Sequence, residues 1–211
     1  DKPVVYANKL MPDHFDRYIK TLGWNTAINK RQFAINVPHF KWPDEYRYPD
    51  VLIEEKTSLK IGDTEFLLNP ARGETDDHLW AYIPKEKILL PGDLFIWAVP
   101  NGGNPQKVQR YISDWADALK EMSSLEAEIM LPGHGYPMFG KENIKKALTS
   151  TAKFLDDIEK QVLKLMNQGK TLNFIIHNVQ FKKELMELPW LKPVYDCLLY
   201  TSPSPRDRRL S

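Results

Sequence analysis

The sequence predicts a mixed α/β fold with a small helical appendage, and three observations carry that prediction. Between Val51 and Leu90 the apolar residues alternate with a period of two, as strands require. From Gln106 to Met122 the period becomes helical, and this stretch feeds a short apolar run that ends on Gly133-His134-Gly135. From Lys141 to Asn167 an unbroken apolar stripe marks a long helix.

Taken in order, Pro3 to Tyr6 reads as a strand, entered at Asp1 without a Met, so natural sequence is expected upstream. Phe15, Tyr18, Ile19 and Leu22 fall at helical spacing, with Pro12 and Asp13 as a start signal and Gly23 as a stop. Residues Pro38 to Pro49 crowd aromatics with prolines and predict an irregular segment, either a pocket wall or a loop covering core. Short strands follow at Val51 to Glu55, Ser58 to Ile61 and Thr64 to Leu68, the last two joined by a Gly62-Asp63 turn. A second hairpin runs from His78 to Ile83 and back from Lys87 to Leu90, around Pro84 to Glu86.

The amphipathic helix Gln106 to Met122 then leads to a strand at Glu128 to Leu131. Beyond the long helix, which Gly169 ends, Thr171 to Val179 and Lys182 to Leu188 predict two further short helices. The expected organisation is a main domain over residues 1–169, a helical appendage over 170–196 and a tail over 197–211. That tail turns abruptly to Ser, Pro and Arg, resembles a translated sequencing-adapter readthrough, and is set aside as non-native.

Composition excludes some function classes. The 29 basic and 28 acidic residues cancel, so no global field draws the protein to nucleic acid or to an anionic membrane. A small-molecule substrate read by a local site is the expected partner. The one cysteine, Cys197, rules out an internal disulfide framework and fits a reducing compartment. No leader and no apolar run of about 18 residues is visible, so a cytoplasmic location is expected.

The chemistry concentrates in two stretches, Ala71-Arg72-Gly73-Glu74-Thr75-Asp76-Asp77-His78 and Leu90-Pro91-Gly92-Asp93. Glu74 precedes the outgoing strand of the second hairpin and Asp93 follows the returning one, so both carboxylates are expected at one sheet edge. His134 follows a strand, where loops of layered α/β folds gather into sites. Carboxylate and imidazole donors suit zinc, iron or manganese, and Asp93 is placed to bridge two ions. Singly, a Gly-Asp or Gly-His pair is more often a simple turn; the ordered set is harder to assign to accident.

Gly73-Glu74-Thr75-Asp76-Asp77-His78, Pro91-Gly92-Asp93-Leu94-Phe95 and Leu131-Pro132-Gly133-His134-Gly135 resemble the third, fourth and fifth metal motifs of the metallo-β-lactamase superfamily. The branch most similar is that of alkylsulfatases, where a glutamate replaces the third-motif histidine; the stretch Lys182 to Asp196 resembles it too. The resemblance implies part of a four-layer αβ/βα sandwich and two divalent metal ions, zinc first with iron or manganese as alternatives. It gives Glu74, Asp93 and His134 the ligand roles and Asp93 the catalytic bridging position.

The superfamily's first motif, H-x-H-x-D-H, does not occur; His14, His39 and His177 are isolated, so the chain reads as an incomplete fragment expected to bind metal poorly. The implied activity is hydrolysis of an ester-like bond (sulfate ester, lactone or thioester), with a carboxylate-rich dimetal redox or binding protein as the alternative.

Four residues are candidates for a supporting or substrate-contacting role. His78 reads as a partner of the ligands, a substrate contact, an alternative ligand, or packing beside Trp80. Arg72 suits an anionic ester group or the surface. Asn101 and Asn104 stand in the segment Phe95 to Asn104, which either lines a pocket mouth or continues a strand into a glycine turn. The stripes of residues 141–196 also offer a homodimer face.

Overall fold

The structure, a computed structural model, describes residues 2–103 and 108–193. They form two compact units, one up to Lys56 and one from Thr57 onward.

In the first unit, β1 (Tyr6–Asn8) pairs in parallel with β2 (Val51–Ile53), Tyr6 standing opposite Val51. The expected strand at Pro3 to Tyr6 thus begins only at Tyr6, where the short β2 provides a partner. Asn8 Oδ1 accepts the Leu10 N–H at 3.0 Å and turns the chain into α1 (Met11–Lys20), with a proline in its first turn.

The helix expected to stop at Gly23 instead breaks at Thr21, whose hydroxyl donates back to the Arg17 carbonyl at 2.8 Å, and α2 (Leu22–Gln32) follows. Periodicity misses α2 because two of its three buried residues are polar: Asn29 Nδ2 donates to both the carbonyl and Oδ1 of Asn25, each at 2.8 Å. The aromatic stretch covers α1: Phe15 stacks on Tyr46 at 4.6 Å, and the Tyr48 hydroxyl donates to Asp16.

The second unit is built on a six-stranded sheet in chain order: β3 (Thr57–Ile61), β4 (Thr64–Ala71), β5 (His78–Ile83), β6 (Ile88–Ile96), β7 (Ile129–His134) and β8 (Met138–Phe139). All neighbours are antiparallel except β6 and β7, which run in parallel because α3 (Ile112–Ser123) crosses between them. Helix α4 (Lys141–Asn167) packs with α3 over the sheet.

The shared core holds Leu89, Leu94, Trp115, Leu119, Met130 and Leu148, all buried. Two of its aromatic polar atoms find partners: Trp115 Nε1 donates to the Leu94 carbonyl at 2.7 Å, and the Tyr82 hydroxyl to that of Leu125 at 2.9 Å.

Helices α5 (Leu172–Asn178) and α6 (Lys183–Met186) lie within the two expected short helices. Phe181 stacks on Phe154 of α4 at 5.3 Å, and Trp190 Nε1 donates to Ser150 Oγ at 2.9 Å.

Three boundaries correct the sequence reading. Strand β6 does not end at Leu90 but runs through Pro91 and Gly92 to Ile96, because β7 pairs with it along that length, Gly92 opposite Pro132 and Ile96 opposite His134. Strand β7 likewise continues to His134. Helix α3 starts at Ile112, not Gln106, because the Tyr111 N–H is committed to the Gly73 carbonyl at 2.9 Å. Residues 104–107 and 194–211, with Asn104 and the expected tail, lie outside the described residues. Among the described residues no helix is long and apolar enough to cross a membrane.

Candidate metal centre

The sheet topology brings the three expected ligands to one end of the second unit. Strands β4 and β5 pair up to Ala71 opposite His78, so residues 72–77 form the connecting loop that carries Glu74. Asp93 lies within β6, and the parallel pairing with β7 sets Gly133 beside it. A Cβ on Gly133 would come within 2.0 Å of Asp93 Oδ1, so only glycine lets the carboxylate occupy that space. One residue further, His134 Nε2 stands 3.5 Å from Asp93 Oδ1.

These groups sit in unlike surroundings. The His134 side chain is 70% exposed and that of Asp93 42%. Glu74 is 25% exposed, and the guanidinium of Arg110 donates both to its carboxylate and to its own backbone carbonyl. Burial pushes the Glu74 carboxyl above the ordinary glutamate range; Arg110 pulls it down, while the charges of Asp93 and Asp77 push it up again.

His78, first residue of β5, reaches the Pro91 carbonyl of β6 with Nε2 at 2.9 Å. A carbonyl oxygen only accepts, so Nε2 is the donor, and burial lowers the pKa of the ring. Gly92, in the left-handed conformation with φ of 55°, makes room for that ring: a Cβ there would lie 2.8 Å from Nε2.

Arg72 pairs with Asp114 of α3 at 2.7 Å and covers the Tyr111 ring at 4.9 Å. Asn101 Oδ1 accepts the Gly103 N–H at 3.4 Å within its own turn. The segment after Asp93 continues the strand: Phe95, Ala98 and Val99 are buried, and Val99 N–H donates to the Lys192 carbonyl at 3.1 Å. Trp97 remains half-buried, edge-on to the exposed Tyr136 at 6.4 Å, and Gly135 fits against its ring.

Sequence reasoning missed Arg110. It lies 36 residues from Glu74, inside a stretch whose period suggested one helix, and a single arginine there carries no periodic signal. By donor chemistry two carboxylates and an imidazole suit a divalent cation; Asp93 and His134 stand within reach of one ion, while the ligand atoms of all three residues do not come within 4.8 Å of one another.

Known proteins resemble this chain in sequence and in fold. A linear primary-alkylsulfatase of Pseudomonas sp. (strain ATCC 19151) is 25% identical over 151 residues, covering 70% of this chain and 28% of that protein. A metallo-beta-lactamase type 2 of Elizabethkingia meningoseptica is 25% identical over 142 residues, covering 62% of this chain and 53% of the other. The chain thus spans about a quarter to a half of the curated relatives it matches.

Among solved structures, a stereoselective inverting sec-alkylsulfatase from Pseudomonas sp. superposes with a TM-score of 0.80 at 18% identity, over 94% of this chain and 35% of that one. A metallo-beta-lactamase family protein from Thermus thermophilus gives 0.51 at 15% identity, over 94% and 64%. The profile of the metallo-beta-lactamase superfamily matches residues 10–134, more than half of the sequence, and the chain belongs to that superfamily.

Proposed function

We propose that the chain contributes to a metal-dependent hydrolase of ester-like bonds, with a sulfate ester on an apolar carrier as the favoured substrate among sulfate ester, lactone and thioester. The observation that carries this reading is the placing of Asp93 Oδ1 3.5 Å from His134 Nε2, with the partly buried Glu74 near enough to feel the Asp93 charge. Similarity to an alkylsulfatase over 70% of the chain supports the choice of ester.

In this reading Glu74, Asp93 and His134 would hold the divalent metal, which when bound would supply activated water and Lewis acidity at neutral pH. The protein's own contribution is placement. Gly133 lets the Asp93 carboxylate stand against β7, and the neutral His78 ties the start of β5 to the β6 carbonyl before Gly92. Trp97 and Tyr136, next to His134, offer an apolar face to the carrier group of a substrate.

The test is metal analysis together with hydrolysis of an alkyl sulfate, a lactone and a thioester, by the 211-residue chain and by its gene product extended upstream. The extended product is expected to retain two zinc, iron or manganese ions and to cleave the alkyl sulfate fastest, while the shorter chain binds metal weakly. Absence of bound metal and of turnover in both would overturn the reading. A paired-iron signal with visible absorption and no hydrolysis would transfer it to redox chemistry.

A further inference from the structure

We infer that Arg110 is the positioning residue of the centre: it fixes the side chain of Glu74 against its own backbone, and so sets the carboxylate in place before any metal arrives. The inference rests on the proposed role of Glu74 as a ligand.

Three observations carry it. First, a single nitrogen, Nη1, donates both to Glu74 Oε1 and to the Glu74 carbonyl oxygen. A glutamate side chain has three rotatable bonds; bonding both ends of the residue to one donor closes a ring that removes most of that freedom. Second, the arginine side chain is only 9% exposed, and its Nε is buried with no hydrogen-bond partner. A guanidinium taken out of water and left short of one partner is costly, so the pair must hold its geometry closely to compensate.

Third, the neighbouring backbone is held independently. Tyr111 N–H donates to the Gly73 carbonyl at 2.9 Å, and Gly73 has no space for a Cβ, which would meet Leu94 Cδ2 at 2.5 Å. The residue before Glu74 and the residue after Arg110 are therefore bonded to each other, and the ion pair closes between two anchored strands of chain. Such a pair is a mount for the carboxylate, and it acts on the reaction only through Glu74.

The experiment is a double-mutant cycle in the 211-residue chain, with Arg110→Met, Glu74→Gln and both together, followed by thermal unfolding in the presence of chelator. Arg110→Met strands a carboxylate that is three quarters covered and is expected to lower Tm by about 5–10 °C. The double variant is expected to fall clearly less than the sum of the singles. Strict additivity would overturn the inference, because an arginine that merely packs is indifferent to residue 74. Should Arg110→Met not fold, Arg110→Lys supplies the second arm: it keeps the charge and loses the planar donor, so it should recover part of the stability.

Zinc affinity, read by competition with a chromophoric chelator, adds a readout that packing does not move. Arg110→Met should weaken zinc by about tenfold or more, with Arg110→Lys between it and the parent. Unchanged zinc affinity in Arg110→Met would likewise overturn the inference. Where the 211-residue chain binds zinc too weakly to titrate, the same order of affinities is expected in the upstream-extended product; absence of zinc in both would sink the metal reading and leave the unfolding cycle to decide the role of Arg110.

Discussion

Glu74 and His134 both neighbour Asp93, yet the fold holds them in opposite ways. Glu74 sits on a loop, three quarters covered and clamped by a buried arginine. His134 is the last residue of a strand, 70% exposed, with the Asp93 carboxylate at 3.5 Å. A loop side chain needs a dedicated partner to be aimed, whereas a strand end inherits its direction from the ladder. The metal reading requires both residues; only one of them is coupled to the stability of the chain.

Removing the clamped side chain breaks that symmetry most sharply. Glu74→Ala leaves the Arg110 guanidinium buried without its carboxylate, and urea denaturation of the metal-free chain is expected to show a loss of about 3 kcal/mol. A loss below about 1 kcal/mol would mean that the pair is no mount, since exposed ion pairs contribute that little.

Next comes the floor of the centre. Gly133→Ala drives a methyl group into the place of Asp93 Oδ1, with the Gly92 carbonyl carbon 2.8 Å away, so β7 and β6 must part. The expected cost is about 1–3 kcal/mol, accompanied by weaker zinc binding. Gly62→Ala is the control: its positive φ of 59° also strains an alanine, but nothing lies within 4 Å, so zinc binding should be unchanged. Equal effects of the two on zinc would show that the close approach at Gly133 does not position Asp93.

The same contrast explains what the sequence reveals and what it hides. Strand β5 and helix α4 have the bounds read from the sequence, because alternation at His78 to Ile83 and the stripe from Ile144 to Leu165 are local patterns. Strand β6 is longer than its pattern because Pro91-Gly92 looks like a turn, and only the distant β7 makes it a strand. Helix α2 hides because its buried face is made of asparagines that satisfy each other.

In the candidate centre, Glu74, Asp93 and His134 stand in ordered motifs and are legible. Arg110 is not, since its meaning arises only when α3 folds back on the loop at Gly73. Arg72, the arginine beside the acid in the sequence, points instead to Asp114 and Tyr111.

The partly buried imidazole of His78 adds a pH arm of smaller size. Its folded pKa lies below the ordinary histidine value of 6.5, because burial opposes the charged ring. The unfolded chain therefore binds the proton more readily, and the contribution of His78 to stability is complete above about pH 6.5 and lost as pH falls through the folded value. Glu74 acts with the opposite sign: its raised pKa contributes stability at low pH that disappears as pH rises through the folded value. The two windows overlap, so the informative quantity is the difference between the parent and His78→Gln, which keeps a donor for the Pro91 carbonyl. That difference should shrink from about pH 7 to about pH 5; a difference constant across the range would mean that the ring titrates as it does in water.

The smallest expected effect on stability tests the exposed half of the comparison. His134→Ala removes a side chain that is 70% in solvent and faces a carboxylate 42% exposed, so neither apolar burial nor a desolvated pair is lost. Its backbone keeps its role, since the His134 carbonyl accepts the Trp97 N–H at 3.4 Å whatever side chain is present. The urea midpoint of the metal-free chain should therefore move by less than about 0.5 kcal/mol equivalent, as surface substitutions do. Zinc affinity should nevertheless fall by at least about tenfold, because an imidazole donor has been withdrawn from the metal. A variant as unstable as Glu74→Ala would show that His134 is held by contacts of its own. One that is equally stable and binds zinc as the parent does would remove His134 from the ligand set, leaving two carboxylates that cannot by themselves make the site proposed.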